Sequence, residues 1–245
     1  MQPVFDWFQG TLRVVSLDGW DPIFTASLCE KEVMKGRVLA FLRAADLEVA
    51  DIRVRKQEFD PRQLPGDMPA ALRQSIIDEL NDKEINALKT VHTTAQGGQI
   101  ELDFEQESDG TRKFFSLAGP WLDTLDHGYV LVVDELHDNL HPHMVNFLVD
   151  LFHDSRTNPK NAQLIFSTHE TSILSQDVFR RDQIWFCEKD ETQASRLFPL
   201  TDFSPRKGLE NLERSYLAGR YGALPYFRQI DIAMGGSGEE QQRAS

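Results

Sequence analysis

Apolar positions along this chain follow two patterns, and the order in which the patterns alternate sets the fold class. Two short runs are continuously apolar. Tyr129-Val130-Leu131-Val132-Val133 ends abruptly in Asp134-Glu135, and after a helix-length gap Leu164-Ile165-Phe166 ends in Ser167-Thr168-His169-Glu170. Runs of this kind predict buried strands of a parallel sheet, over 129–134 and 162–167, with polar tips at the edge where open α/β sheets bind ligands. Around them the period changes to 3.6. Over 108–126, Phe114, Leu117, Ala118, Trp121, Leu122 and Leu125 fall at i, i+3, i+4, i+7, i+8 and i+11, which predicts the clearest helix, with Pro120 as a candidate kink. A further helix, over 142–153, fills the gap between the two strands. Alternating strand and helix predicts an α/β fold: a parallel sheet with right-handed crossovers, flanked by helices.

The flanking regions yield to the same reading. Helical spacing over 29–47 puts Val33, Val38, Leu39 and Leu42 on one side, and Ile52, Val54 and Phe59 predict a strand. Pro61, Pro65, Gly66 and Pro69 mark a loop, after which Leu72, Ile76, Ile77 and Leu80 share the face of a helix over 69–81. Strands over 85–94 and 99–106 surround Gly97-Gly98 and predict a hairpin. Late in the chain come a short helix near Ser172, strands over 183–188 and 195–200, and a helix over 209–220. Residues 1–28, with Trp7, Phe8, Trp20 and Phe24, read as part of a core that starts mid-fold. Three segments result: 1–99 as the remnant of an N-terminal or inserted lobe, 100–230 as the principal body, and 231–245 as a disordered polar tail.

Composition narrows the partners. The chain has 245 residues, of which 40% are hydrophobic, enough for a packed core. Its 39 acidic against 26 basic residues give a formal charge of −13, which opposes non-specific attraction to nucleic acid or anionic lipid. Arg53-Val54-Arg55-Lys56 is more simply the wet face of a strand than a basic patch. Cys29 and Cys187, far apart and without metal-type spacing, suit a reducing compartment. No basic segment precedes an apolar one at the start, and no apolar run approaches membrane-spanning length. A cytoplasmic protein without membrane contact is expected.

The strand tips carry the chemistry. Asp134 suits Mg²⁺, which prefers hard oxygen ligands, and Glu135 could orient or deprotonate an attacking water. Alternatively, the strand simply reaches solvent at Asp-Glu, and His169 is a hydrogen-bonded structural residue. The segment Ser108-Asp109-Gly110-Thr111 opens the best helix, where small residues and exposed N–H groups favour an anion; Ser108 or Asp109 would equally serve as an ordinary N-cap. One part of nucleotide chemistry is missing: no Gly-Lys-Ser or Gly-Lys-Thr of a phosphate loop occurs, and Gly235-Gly236-Ser237-Gly238 runs into Glu239-Glu240, which would repel phosphate. A zinc hydrolase is a separate possibility, because His137, His141, His143 and His153 crowd near Glu135 and Asp154. Against it, Pro142 interrupts the face shared by His137 and His141, and no H-E-x-x-H occurs.

Taken in order, Asp109-Gly110-Thr111 before a helix, Val132-Val133-Asp134-Glu135-Leu136 with Leu140-His141-Pro142 after it, Ser167-Thr168-His169-Glu170, the stretch 180–189 and the stretch 219–225 resemble the C-terminal half of ABC-type ATPase heads. The chain is most similar to stand-alone AAA-family ATPases, the AAA-15 and AAA-21 kinds with SMC-like heads, found in bacterial abortive-infection and anti-phage systems. The resemblance covers about residues 100–228 strongly and the first hundred only vaguely. It implies a P-loop NTPase-like core that uses ATP and Mg²⁺ and has its N-terminal lobe, with the Walker A loop, missing. It implies signature residues Ser108, Gly110 and Thr111 contacting nucleotide across a dimer, Asp134 as the Walker B metal residue, Glu135 as the catalytic glutamate, His169 as the switch histidine, and Asp138 in the D-loop. His137 stands where relatives often have Asp. The resemblance further implies a homodimer, or a partner chain that bears Walker A. A non-catalytic interaction module or a truncated pseudo-ATPase fits the same residues.

Overall fold

A computed structural model describes residues 2–15, 21–58, 69–70, 73–74, 77, 84–190, 192–206, 208 and 210–224. The chain falls into two compact units, Met1–Ile173 and Leu174–Ser245.

The first unit is built on the expected parallel sheet. Its strands are β1 (Leu12–Val15), β5 (Val130–Val133) and β6 (Gln163–Phe166), in the order β1-β5-β6. β5 and β6 pair in parallel from Val130↔Gln163 to Val133↔Phe166, so the two polar tips end side by side. β1 pairs in parallel with the other edge of β5, from Leu12↔Val130 to Val15↔Val133. That strand was not legible in the sequence, where 1–28 showed only scattered apolar residues. β1 follows helix α1 (Gln2–Thr11), none of whose residues is buried.

Three further helices make the core. These are α2 (Pro22–Cys29), α3 (Glu32–Ala44) and α4 (Asp109–His127). On α4, Phe114, Leu117, Ala118, Trp121 and Leu125 are buried as the spacing predicts, together with Phe115. Helix α5 (Pro142–His153) buries Val145, Leu148 and Val149, and Trp121 Nε1 donates to the Leu148 carbonyl at 3.2 Å, joining α4 to α5. On α3, Val38, Leu39, Phe41 and Leu42 are buried, but Val33 is 79% exposed. Val33 lies five residues before Val38, about 140° around the helix, so it cannot share that face. Phe41 completes it instead, stacking near Phe114 with ring centroids 4.9 Å apart.

Pro120, the candidate kink in α4, is accommodated by α2. Pro120 cannot donate to the Ser116 carbonyl, which accepts from Thr25 Oγ1 at 3.1 Å, and the same hydroxyl accepts from the Gly119 N–H at 3.0 Å. Gly119 lets the helices come this close: a Cβ there would lie 2.6 Å from Thr25 Oγ1.

A second, antiparallel sheet holds β2 (Asp51–Glu58), β3 (Glu84–Thr93) and β4 (Gln99–Asp103) in the order β2-β3-β4. β3 and β4 form the expected hairpin from Lys89↔Asp103 to Thr93↔Gln99. β4 ends earlier than expected, in a 3₁₀ turn at Phe104–Gln106. The expected helix over 69–81 lies largely outside the described residues, as do Phe59, Trp20 and the tail over 231–245.

The second unit contains β7 (Trp185–Lys189) and β8 (Ser195–Pro199), paired antiparallel as their own two-stranded sheet, followed by the short helix α6 (Leu212–Leu217). The strand and helix pattern alone would have continued the parallel sheet. The tight link through Asp190, whose carboxylate accepts from the backbone N–H groups of Thr192 and Ala194, makes a hairpin instead. Ile184, Phe186, Leu200, Leu212 and Tyr221 form this unit's core. The stretches 180–189 and 219–224 meet there: Glu188 Oε2 accepts from the Ala223 N–H at 3.1 Å.

Candidate functional site

The site begins where β5 stops. Glu135, directly after the Asp134 tip, takes φ +50°, a left-handed conformation that costs a non-glycine residue about 1–2 kcal/mol. Three interactions hold it there. Ser167 Oγ accepts from the Glu135 N–H at 2.9 Å, the Ser167 carbonyl accepts from the Leu136 N–H at 3.1 Å, and Leu136 is fully buried. The turn throws the Glu135 carboxylate towards β6. Ser167 also donates through its hydroxyl to Asp134 Oδ1, so one residue at the β6 tip organises both carboxylates of the β5 tip.

At the far side of the turn, His169 Nδ1 lies 3.0 Å from Glu135 Oε2. His137 enters from the same turn, with Nδ1 3.4 Å from Glu135 Oε2 and 2.9 Å from Thr168 Oγ1, and Nε2 2.9 Å from His169 Nε2. Burial, and then the neighbouring His169, push the His137 pKa below the usual imidazole range. Glu170 is held below the usual carboxylate range chiefly by its hydrogen bond from the Ser172 N–H.

Helix α4 delivers the second group of residues. Ser108 is its N-cap: Oγ accepts from the Thr111 N–H at 3.1 Å and lies 2.8 Å from Thr111 Oγ1. The preceding Glu107 is anchored to β3 through Thr90 Oγ1 and through His92 Nε2 at 2.5 Å. Gly110 sits against the loop that follows β5, where a Cβ would lie 3.2 Å from the Asn139 carbonyl oxygen. One turn later, Lys113 Nζ reaches the Glu135 carbonyl at 3.4 Å and Asp138 Oδ2 at 3.6 Å. Burial lowers the Lys113 pKa, against the opposing pull of Asp138 and Glu135.

The structure therefore brings Asp134, Glu135 and His169 together at two strand ends, and sets the start of α4, with Gly110 and Lys113, beside the Asp138–Asn139 loop. It does not bring together the histidines of the zinc reading. His141 is the N-cap of α5 and stacks on His143 at 5.2 Å, His153 ends that helix, and Asp154 pairs with Arg156. Among the described residues, one donor atom each from Glu135, His137 and His169 forms the metal-competent cluster. Sequence reasoning missed Lys113, Ser167 and the pairing of His137 with His169. Lys113 gave no signal beyond its place one turn into α4, and the histidine pair depends on a strand register that spacing cannot supply.

As ligands, Asp134 and Ser167 offer exposed hard oxygens suited to Mg²⁺. Lys113 is a cation within reach of the turn, and no Gly-Lys-Ser or Gly-Lys-Thr occurs within residues 1–245. Among the described residues no helix is long and apolar enough to cross a membrane.

Residues 31–175, more than half of the chain, match the AAA-21 family model, described as "AAA domain, putative AbiEii toxin, Type IV TA system". The match takes in α3, the antiparallel sheet, α4, β5, α5 and β6, and leaves out β1. No curated protein matches the chain.

Proposed function

Since the chain belongs to the AAA-21 family of AAA domains, we propose that residues 1–245 supply the water-activating part of an ATP-hydrolysing, dimerising head. An ATPase-type domain is what the family implies, and nucleotide and Mg²⁺ use are general to it. The finer assignment is residue by residue. Asp134, with Ser167, would hold Mg²⁺, whose role is to neutralise charge on the phosphate oxygens. Glu135 accepts the proton of the attacking water, and His169 steadies its carboxylate and senses the γ-phosphate. Ser108, Gly110 and Thr111 at the start of α4, with Asp138 across the adjoining loop, face the nucleotide of the neighbouring protomer. The family description also motivates a role in toxin–antitoxin or abortive-infection defence.

One observation carries this reading. The Glu135 carboxylate is turned out of its strand by a strained backbone and meets His169 at 3.0 Å, beside an exposed aspartate. Strain of this kind concentrates at functional sites. Phosphate release by the chain, purified with its natural partners, tests it: turnover should require Mg²⁺, and Asp134→Asn should reduce it to the level seen without Mg²⁺. Mg²⁺-independent turnover, or an Asp134→Asn variant as fast as the parent, contradicts the assignment.

No Gly-Lys-Ser or Gly-Lys-Thr occurs within residues 1–245, so the phosphate loop is proposed to lie outside these residues, with a homodimer or a loop-bearing partner chain completing the site. The isolated chain should bind MgATP with a Kd no better than about 1 mM, roughly 4 kcal/mol. Micromolar binding by calorimetry would refute that division of labour. A second reading is a non-catalytic module that docks on a loop-bearing ATPase, in which Glu135 has no chemical task.

A further inference from the structure

The geometry points to a transition-metal site, of the zinc class, formed by Glu135, His137 and His169. The ligands come from two rigid places: Glu135 and His137 from the turn after β5, and His169 from the tip of β6, held in register by the parallel pairing. One donor atom from each lies within 4.8 Å of the other two. The imidazole rings meet edge to face, with centroids 3.8 Å apart and planes at 76°.

The hydrogen bonding leaves a place for a cation. Each ring has an oxygen partner at Nδ1: Thr168 Oγ1 for His137 and Glu135 Oε2 for His169. For His137, Thr168 Oγ1 is the orienting oxygen that metal-binding histidines commonly have on the non-ligating nitrogen; for His169 that contact is given up when the Glu135 carboxylate turns to the ion. The two Nε2 atoms face each other at 2.9 Å, a contact satisfied by an N–H···N hydrogen bond between neutral rings or by a metal ion that both lone pairs address. Ligands at about 2.0–2.1 Å from a tetrahedral ion stand about 3.3 Å apart. The two Nε2 atoms, 2.9 Å apart, are within tenths of an ångström of that spacing, whereas Glu135 Oε2 lies 3.0 and 3.4 Å from the Nδ1 atoms of His169 and His137, so its carboxylate must swing to join an ion held by the Nε2 atoms. His137 is 11% exposed and His169 80%, so the ion would be held from one side and open on the other, as a site with a free fourth position requires.

Two imidazoles and one carboxylate select Zn²⁺, Co²⁺ or Ni²⁺ over Mg²⁺, so this site is chemically distinct from the hard-oxygen position at Asp134. Its consequence rests on the ATPase reading: an ion here occupies Glu135 and His169, and would switch turnover off. The binding itself does not depend on that reading.

The test uses the full chain with metal alone. Titration with Co²⁺ should develop the visible ligand-field band of a low-coordinate site, saturating at one ion per chain, displaced by Zn²⁺ and unaffected by excess Mg²⁺. His137→Asn and His169→Asn should each remove the band, and Thr168→Val should weaken binding about 10–100-fold by freeing the His137 ring. His169 is largely exposed, so its replacement leaves the core untouched, and circular dichroism verifies the fold of the others. A cobalt band that persists in both histidine variants, or no binding by the parent chain, overturns the site. A chain that binds zinc here yet never turns over ATP would sink the ATPase proposal and leave this one standing.

Discussion

At Glu135 the backbone sits at φ +50° for the sake of where the side chain points, and that tension can be measured. Glycine adopts this conformation freely but loses more entropy on folding, so Glu135→Gly should be at least as stable as the parent, gaining up to about 1 kcal/mol in chemical denaturation. A loss of more than about 1 kcal/mol would mean that the carboxylate stabilises the turn and is not there at the expense of stability. The two cysteines give an independent check on the packing around α2. Burial pushes the Cys29 thiol up to about 12, whereas Cys187 is exposed. A thiol reagent at pH 8 should label Cys187 alone in the native protein and both residues after denaturation; native labelling of Cys29 would contradict the α2 placement. At this scale the sequence revealed identities and hid conformations. Asp134, Glu135 and His169 stood out because carboxylates and imidazole end apolar runs. The left-handed turn that aims Glu135, and the ring-to-ring approach of His137, arise from contacts with residues more than thirty positions away.

Among elements, the joint between α2 and α4 is the most exacting. Thr25 Oγ1 serves both the Ser116 carbonyl, orphaned by Pro120, and the Gly119 N–H, all within the core. Thr25→Val keeps the shape and leaves both backbone groups unpartnered, and should cost about 1–3 kcal/mol. Gly119→Ala must push the helices apart and should cost a similar amount. Unfolding midpoints unchanged by both substitutions would refute the joint. Helices α3 and α4 are also clamped, by Arg37 Nη1 and Nη2 on the Asp126 carboxylate at 2.5 and 2.7 Å. The Arg37 hydrogen bonds hold Asp126 below the ordinary value of 3.8. Its contribution is therefore complete above that value and is lost as pH falls through the lower, folded-state value. Both side chains are more than a third exposed, so the clamp is worth less than about 1 kcal/mol. Asp126→Asn should flatten stability against pH in that acid window and nowhere above it, and an identical acid limb would contradict this. Helix periodicity made α4 and α5 legible almost to the residue. It could not tell that Pro120 would be compensated from a helix ninety residues earlier, and it counted Val33 into a face that it lies off.

Over the whole molecule, the sheet contains the strongest sequence signal and the largest omission. The two continuous apolar runs predict β5 and β6, and β5 is buried as such a strand should be, whereas β6 alternates between exposed and half-buried positions and so departs from the buried strand expected there. β1 was hidden: Leu12-Arg13-Val14-Val15 is too short and mixed to declare itself, and becomes a strand only because β5 offers it an edge. In register across the sheet, Val14, Val132 and Ile165 form a row, and its outer members are 67% and 55% exposed. The centre of the account is that the tips of β5 and β6 do chemistry together, with Glu135 as base. Glu135→Gln addresses this most directly, because it preserves size and hydrogen bonding while removing the proton acceptor. In the protein purified with its partners, turnover of MgATP should fall by about 10²–10⁴-fold while nucleotide remains bound. Equal turnover in the variant and the parent would contradict the account and leave the chain a docking module.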